Sequence, residues 1–266
     1  MSGLSMGTVG SLRSIAVAAA VVFSATAHAG RSCENKPPTV SSIQRSMTLA
    51  EHTAARLDDS GAQVVVLARA GQNLSEYGLR YSHLGFAYRE GKLWRVVHKL
   101  NQCGTANGSI YRQGLAEFFL DDLYDYEAAV VVPTPEVQQK LLPALRDNAR
   151  VAQLNTPAYN MVAYPWSLTY QQSNQWALET LAMTQDPAAA TRERAQAWLK
   201  LQGYTPTTLH ISALKRLGAR ATAANIAFDD HPNEKRFSDR IETVTVDSVF
   251  SWLNRSGLGA PVQVIR

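Results

Sequence analysis

The chain has 266 residues, 45% of them apolar, and a formal net charge of +4 from 26 Lys and Arg against 22 Asp and Glu. That apolar share supports a sizeable core and excludes a disordered, solvating chain. The basic residues, among them Arg89, Lys92, Arg95, Lys99, Arg192, Arg194, Lys215 and Arg216, are scattered rather than drawn into a stripe with interleaved aromatics, so nucleic acid is not an expected partner.

Arg13, the apolar run 15–25 and Ala27-His28-Ala29 have the form of a cleavable secretory leader, which assigns residues 1–29 to a signal peptide. The run is short for a bilayer span, no later run is longer, and no cysteine follows the cleavage point directly. A periplasmic or secreted protein without a membrane anchor is therefore expected. Two cysteines, Cys33 and Cys103, would meet oxidising conditions there, and a disulfide between them is the default expectation. Closing that loop would contribute about 4 kcal/mol in the chain-entropy model. Cys103 as a nucleophile is the alternative.

Thr48-Leu-Ala-Glu51 has capping-box form and predicts a helix running to about Asp58. Residues 64–68 form a continuous apolar run of strand length. After a loop at 71–78, residues 81–98 read as a β-hairpin, with aromatic and β-branched arms around Gly91. A turn at Glu90 and Gly91 pairs Arg89 with Lys92, Tyr88 with Leu93, and His83 with His98. Two imidazoles on one face suit acid/base chemistry near neutral pH, and Gly85 and Ala87 leave room in front of His83. A one-residue slip would separate the rings to opposite faces. A histidine in a sheet is as readily structural as functional.

Residues 101–107 are turn-rich, and a short helix is predicted at 114–120. A buried strand follows at 128–132, then a helix carrying Val137, Leu141, Leu142 and Leu145 at helical spacing. A strand at 160–164 and a helix at 172–183 complete this part. Beyond Asp186, helices are predicted at 188–201 and 206–217, ended by Gly203 and Gly218. A strand at 225–228, a turn at 229–232, a strand at 240–246 and a last helix capped by Asp247 follow. The fold class is α+β: a core over 30–185 with a mainly helical elaboration over 186–266.

Ser173 falls at the start of a predicted helix, where unpaired backbone N–H groups and positive potential favour an oxyanion. Its plain alternative is helix N-capping. Asp229-Asp230-His231, with Glu234 near and His210 upstream, carries oxygen and nitrogen ligand types, but its spacing is that of a turn rather than of a zinc or calcium site. No metal or other cofactor is expected. The five tryptophans are spread along the chain and read as core.

Strand-borne Ser82-His83-Leu84-Gly85-Phe86, a polar residue on the next strand and a later helix-start nucleophile position together resemble circularly permuted, NlpC-type papain-like hydrolases. The resemblance implies a papain-like antiparallel sheet packed against helices, with Ser173 as nucleophile in place of cysteine, His83 as base and His98 orienting it. Gln172 or the Ser173 backbone N–H would hold the oxyanion. The implied activity is hydrolysis of an amide or ester in an envelope peptide or acyl substrate. The alternative is a non-catalytic periplasmic binding or assembly protein on the same fold, because a serine hydroxyl needs a base to remove its proton during attack, whereas a thiol ionises readily beside an imidazole. Across most of the chain, Arg69-Ala-Gly-Gln, Tyr81-Ser-His-Leu-Gly-Phe, Ser173-Asn-Gln-Trp-Ala-Leu-Glu and Phe228-Asp-Asp-His are also similar to a bacterial family of predicted secreted proteins, domain of unknown function 2145, which implies no activity.

Overall fold

A computed structural model describes residues 37–121 and 123–266. The segment assigned to a leader lies outside the described residues, and so does Cys33 with its expected bond to Cys103. In chain order the elements are α1 (Val40–Asp59), β1 (Val64–Ala70), β2 (His83–Glu90), β3 (Leu93–Asn101), β4 (Gly108–Gly114), α2 (Leu115–Phe119) and β5 (Asp125–Val131). Then come α3 (Pro135–Arg146), α4 (Asn148–Ala152), α5 (Ser173–Gln185), α6 (Arg192–Leu201), β6 (Thr207–His210) and α7 (Ala213–Thr222). The chain closes with α8 (Asn233–Arg236), β7 (Arg240–Thr243), α9 (Val246–Arg255) and β8 (Gln263–Ile265).

Six strands form one antiparallel sheet in the order β4-β3-β2-β1-β5-β8. β1 is buried along its whole length, which is why its sequence is an unbroken apolar run rather than an alternation. Strand side chains alternate between faces, and the sheet divides the core accordingly. Val64, Val66, Leu84, Phe86 and Val97 pack with Trp176 and Leu178 of α5 and Trp252 of α9. Val65, Leu67, Ala87 and Val96 pack on the other face with Leu49 and Leu57 of α1 and Phe118 and Phe119 of α2. A third cluster, including Ile211, Ile226, Phe228 and Ile241, sits around the β6–β7 pair. No helix among the described residues is long and apolar enough to cross a membrane.

Several sequence expectations are corrected. α1 begins eight residues before Thr48, capped by the Thr39 hydroxyl accepting from the Ser42 amide. β4 stands where only a turn and the approach to a helix were expected, because a strand at a sheet edge needs little apolar content. Thr207–His210 is a strand paired with β7, not the start of a helix; its β-branched threonines and a hydrogen-bonding neighbour outweigh the helical spacing that follows. Residues 160–164 and 225–228 are irregular. The last helix is capped by Thr245 in a capping box with Ser248, two residues before Asp247.

Candidate functional site

The hairpin pairs Glu90 with Leu93, Arg89 with Trp94 and Tyr88 with Arg95. Its turn is therefore Gly91-Lys92, with the positive φ at Gly91 of 61° expected of the first central residue of a type II′ turn. This register differs by two residues from the one expected. A two-residue shift keeps each side chain on its own face, so His83 and His98 still share a face but sit diagonally rather than directly opposite. Facing His98 is Gly85: a Cβ built there would lie 2.7 Å from the His98 Cβ and 2.8 Å from the Val97 carbonyl. The space expected in front of His83 is occupied by the second histidine, and the glycine is what lets it approach.

The ring contact is direct and has a determinate direction. Gln113 Nε2 donates to the Glu117 carboxylate at 3.0 Å, which leaves Gln113 Oε1 to accept from His98 Nε2–H at 2.7 Å. His98 Nδ1 then holds a lone pair and accepts from His83 Nε2–H at 2.8 Å. The relay runs His83, His98, Gln113, Glu117, and both rings are neutral. Burial, followed by the nearby Arg69 guanidinium, holds the His98 imidazolium down at about 3; burial, then Arg69 and His98, push His83 well below the ordinary histidine range. Phe118 closes over both rings, with centroids 6.0 Å from His83 and 5.1 Å from His98. Arg69 is fastened to the Phe118 carbonyl and the Asp121 carboxylate. Every member of this cluster belongs to the α1/α2 face of the sheet.

Ser173 belongs to the opposite face. It is the first residue of α5, not its cap. The cap is Gln172, whose Oε1 accepts from the Asn174 amide at 2.9 Å while its Nε2 donates to Thr243 Oγ1 and the Val244 carbonyl. Gln172 is thereby committed to anchoring α5 on the segment before α9 and has no free donor for an oxyanion. The Ser173 hydroxyl meets Tyr159 Oη at 3.1 Å, both groups buried, and among the described residues it makes no hydrogen bond to either histidine. What reaches the histidine strand from α5 is Asn174, whose Oδ1 accepts from the Leu84 amide at 3.0 Å. The structure thus brings His83 and His98 together and sets Ser173 on the far side of the sheet.

A second polar knot, for which the sequence offered no single motif, joins α5 to α6 and to the segment before α5. Glu179 of α5 accepts from Arg192 Nε at 2.8 Å, Gln171 at 2.6 Å and Gln196 at 2.7 Å. Lys99 enters from β3, donating to the Thr156 carbonyl at 2.5 Å and Gln171 Oε1 at 2.8 Å. Burial, then Arg192, lowers the Lys99 ammonium to about 7, against an opposing pull from Glu179. A signal was available in the alternation of β3, which points Lys99 to the same face as Val97. Gln113 carries no comparable local signal, because the strand that holds it is defined by its pairing with β3.

Asp229-Asp230-His231 lies in a turn. Asp230 accepts from the Tyr164 amide at 2.8 Å, and His231 lies between Asp230 Oδ1 at 3.0 Å and the Glu242 carbonyl at 2.9 Å. No group of three or more His, Cys, Asp or Glu among the described residues is placed to hold a metal ion.

A groove of about 740 Å³ opens elsewhere, beside α9, walled by Tyr81, Phe250, Pro261 and Val262 and edged by Asp247, Asn254 and Arg255. That volume falls in the range of small-ligand sites.

A family model described as an uncharacterized protein conserved in bacteria (DUF2145) matches residues 56–253, and the chain belongs to that family. No curated protein and no solved structure matches it.

Proposed function

We propose that this member of a bacterial family is an exported binding or assembly protein that does not use Ser173 as a nucleophile. The observation that carries the reading is the separation of Ser173 from the histidine pair by the sheet. A serine needs a base within about 3 Å to take its proton during attack, and the partner of Ser173 is a buried tyrosine. Burial pushes that tyrosine hydroxyl further above its ordinary range, which makes it no substitute for a base.

The histidine pair on neighbouring strands is the part of the NlpC-type layout that favours a shared architecture; the nucleophile position does not follow it. Export is supported by the leader-like residues 1–29. An amide or ester hydrolase working on envelope peptides or acyl groups would need the hydroxyl and the imidazole in one cleft, and the two belong to separate hydrogen-bonded clusters. That separation favours recognition or assembly over hydrolysis by Ser173.

The test is treatment of the purified protein with a serine-directed fluorophosphonate probe between pH 6 and 9. No adduct at Ser173 is expected at any pH. An adduct mapped to Ser173 and lost in His83→Ala would overturn the reading.

A further inference from the structure

α7 turns its large apolar side chains to solvent. Leu214 is 80% exposed and Leu217 67%, and no residue of the helix is buried. At about 100° per residue, Leu214, Leu217, Gly218 and Ala221 fall along one side of α7, while Arg216 and Ala219 fall along the other. That second side is the one held to the body of the protein. Arg216 donates to the Ile211 carbonyl and the Asp239 carboxylate, both at 2.6 Å, and Ala219 packs against the third apolar cluster. A small alanine therefore faces inward and two leucines outward, which reverses the usual arrangement of a surface helix.

Every charged side chain of α7 is basic: Lys215, Arg216 and Arg220. Lys215 stands in the first turn, which holds no acidic residue, against the preference of the helix dipole for negative charge there. Its pair with Glu76 is open to water, the two side chains being 53% and 61% exposed, and such a pair is worth little. Arg220 is exposed and forms no ion pair among the described residues. Lys215 and Arg220 flank the leucine ridge, one on each side. Two residues before Asp239, the segment that fastens Arg216 carries a further exposed ring, Phe237 at 71%, with the Arg236 guanidinium 4.8 Å from its centroid.

A ridge of leucines with a cation on either flank is complementary to a negatively charged lipid surface. The apolar side chains enter the acyl boundary, and the long cationic ones reach outward to the phosphates. Setting the same face of a second copy against it would oppose cation to cation. We propose that α7 docks the protein on an anionic membrane surface, lying in the headgroup layer with Leu214 and Leu217 inserted. The contact is peripheral and does not span: the ten residues of α7 measure about 15 Å. Two leucines and two flanking cations give a weak, reversible association. The docking face uses neither Ser173 nor the histidine pair.

The experiment is co-sedimentation of the purified protein with vesicles of phosphatidylglycerol and phosphatidylcholine in equal parts, beside vesicles of phosphatidylcholine alone. Binding to the anionic vesicles is expected, at least about tenfold weaker without phosphatidylglycerol and reduced by salt at about 0.5 M. The double variant Leu214→Ser, Leu217→Ser should weaken it at least about tenfold, and Arg220→Gln about fivefold. All three side chains are exposed, so these variants should keep the wild-type urea midpoint, which separates lost docking from lost folding. No sedimentation with anionic vesicles, equal sedimentation with both kinds, or binding that survives the paired leucine substitution would overturn the proposal. So would a dimer of the free protein, seen by analytical ultracentrifugation, that dissociates in the leucine variant, because it would give the face to a second copy. None of these results bears on the non-catalytic reading, which is decided separately by fluorophosphonate labelling of Ser173.

Discussion

Replacing Glu179 by leucine attacks the knot that joins α5 to α6 and to the segment before α5. The carboxylate is 1% exposed and the Arg192 side chain 9% exposed, so neither charge is rescued by water once the other is gone. Arg192 would keep the Leu168, Ser167 and Tyr170 carbonyls and the Thr156 hydroxyl, which satisfy its N–H groups but do not neutralise it. Gln171 and Gln196 would each lose a short acceptor. Breaking a buried pair by removing one partner costs about 3–5 kcal/mol, which for a domain of this size lowers the melting temperature by about 6–20 °C. Lys99 would feel Arg192 without the opposing Glu179, so its ammonium should fall further below about 7. The double variant Glu179→Leu, Arg192→Met removes both charges and should recover at least half of the loss. Urea unfolding of the wild type and the two variants measures this. A cost under about 1 kcal/mol for Glu179→Leu, or a double variant worse than the single, would refute the account of the knot as a tightly coupled buried pair.

The depressed histidines give an acid-side signature. Their folded-state values lie below the unfolded value of 6.5, so the unfolded chain binds more protons in between, and stability is full above about pH 6.5 and falls as pH drops, by up to about 1.4 kcal/mol per pH unit for each ring. Glu127, held at about 2 by Arg80, Tyr81 and Arg266 against the upward push of burial, adds its own loss only below about 4.5. Urea midpoints at pH 5, 6 and 7 should fall less steeply in His83→Gln, His98→Gln than in the wild type; parallel lines would contradict the assignment. Gly85→Ala forces a methyl against the His98 Cβ and the Val97 carbonyl and should cost about 1–3 kcal/mol, readable as a lower urea midpoint, with an unchanged midpoint as the failing result. Ser173→Ala and Tyr159→Phe should each cost about 1–2 kcal/mol through one shared hydrogen bond, and together little more than either alone; full additivity in a double-mutant cycle would show that the two groups act separately.

Much of the architecture is legible in local pattern. The unbroken apolar run of β1, the Gly91 hairpin and the Thr134-Pro135 entry to α3, where the hydroxyl caps the helix and proline occupies its first turn, each depend on neighbours in sequence. Elements whose identity depends on a partner are harder to read. β6 is a strand because β7 lies beside it, and β4 because β3 does. Likewise α1 starts at Thr39 because that hydroxyl reaches the Ser42 amide, although Thr48 and Glu51 offer an equally good local pattern.

The candidate site divides along the same line. That His83 and His98 share a face follows from strand alternation alone, since any even shift of register preserves it, and the observed shift of two did. Which face they share, and which face α5 covers, is decided by packing. Trp176, Leu178 and Leu181 bury α5 against Leu84, Phe86 and Val97, while Phe118 and Leu67 take the other side with the imidazoles. No spacing along the chain encodes the side of a sheet on which a distant helix docks, because that choice is settled by which apolar surfaces can be covered together. The amino-acid order alone therefore determined a pair of neighbouring histidines and a serine at a helix start; only the tertiary structure placed a sheet between them.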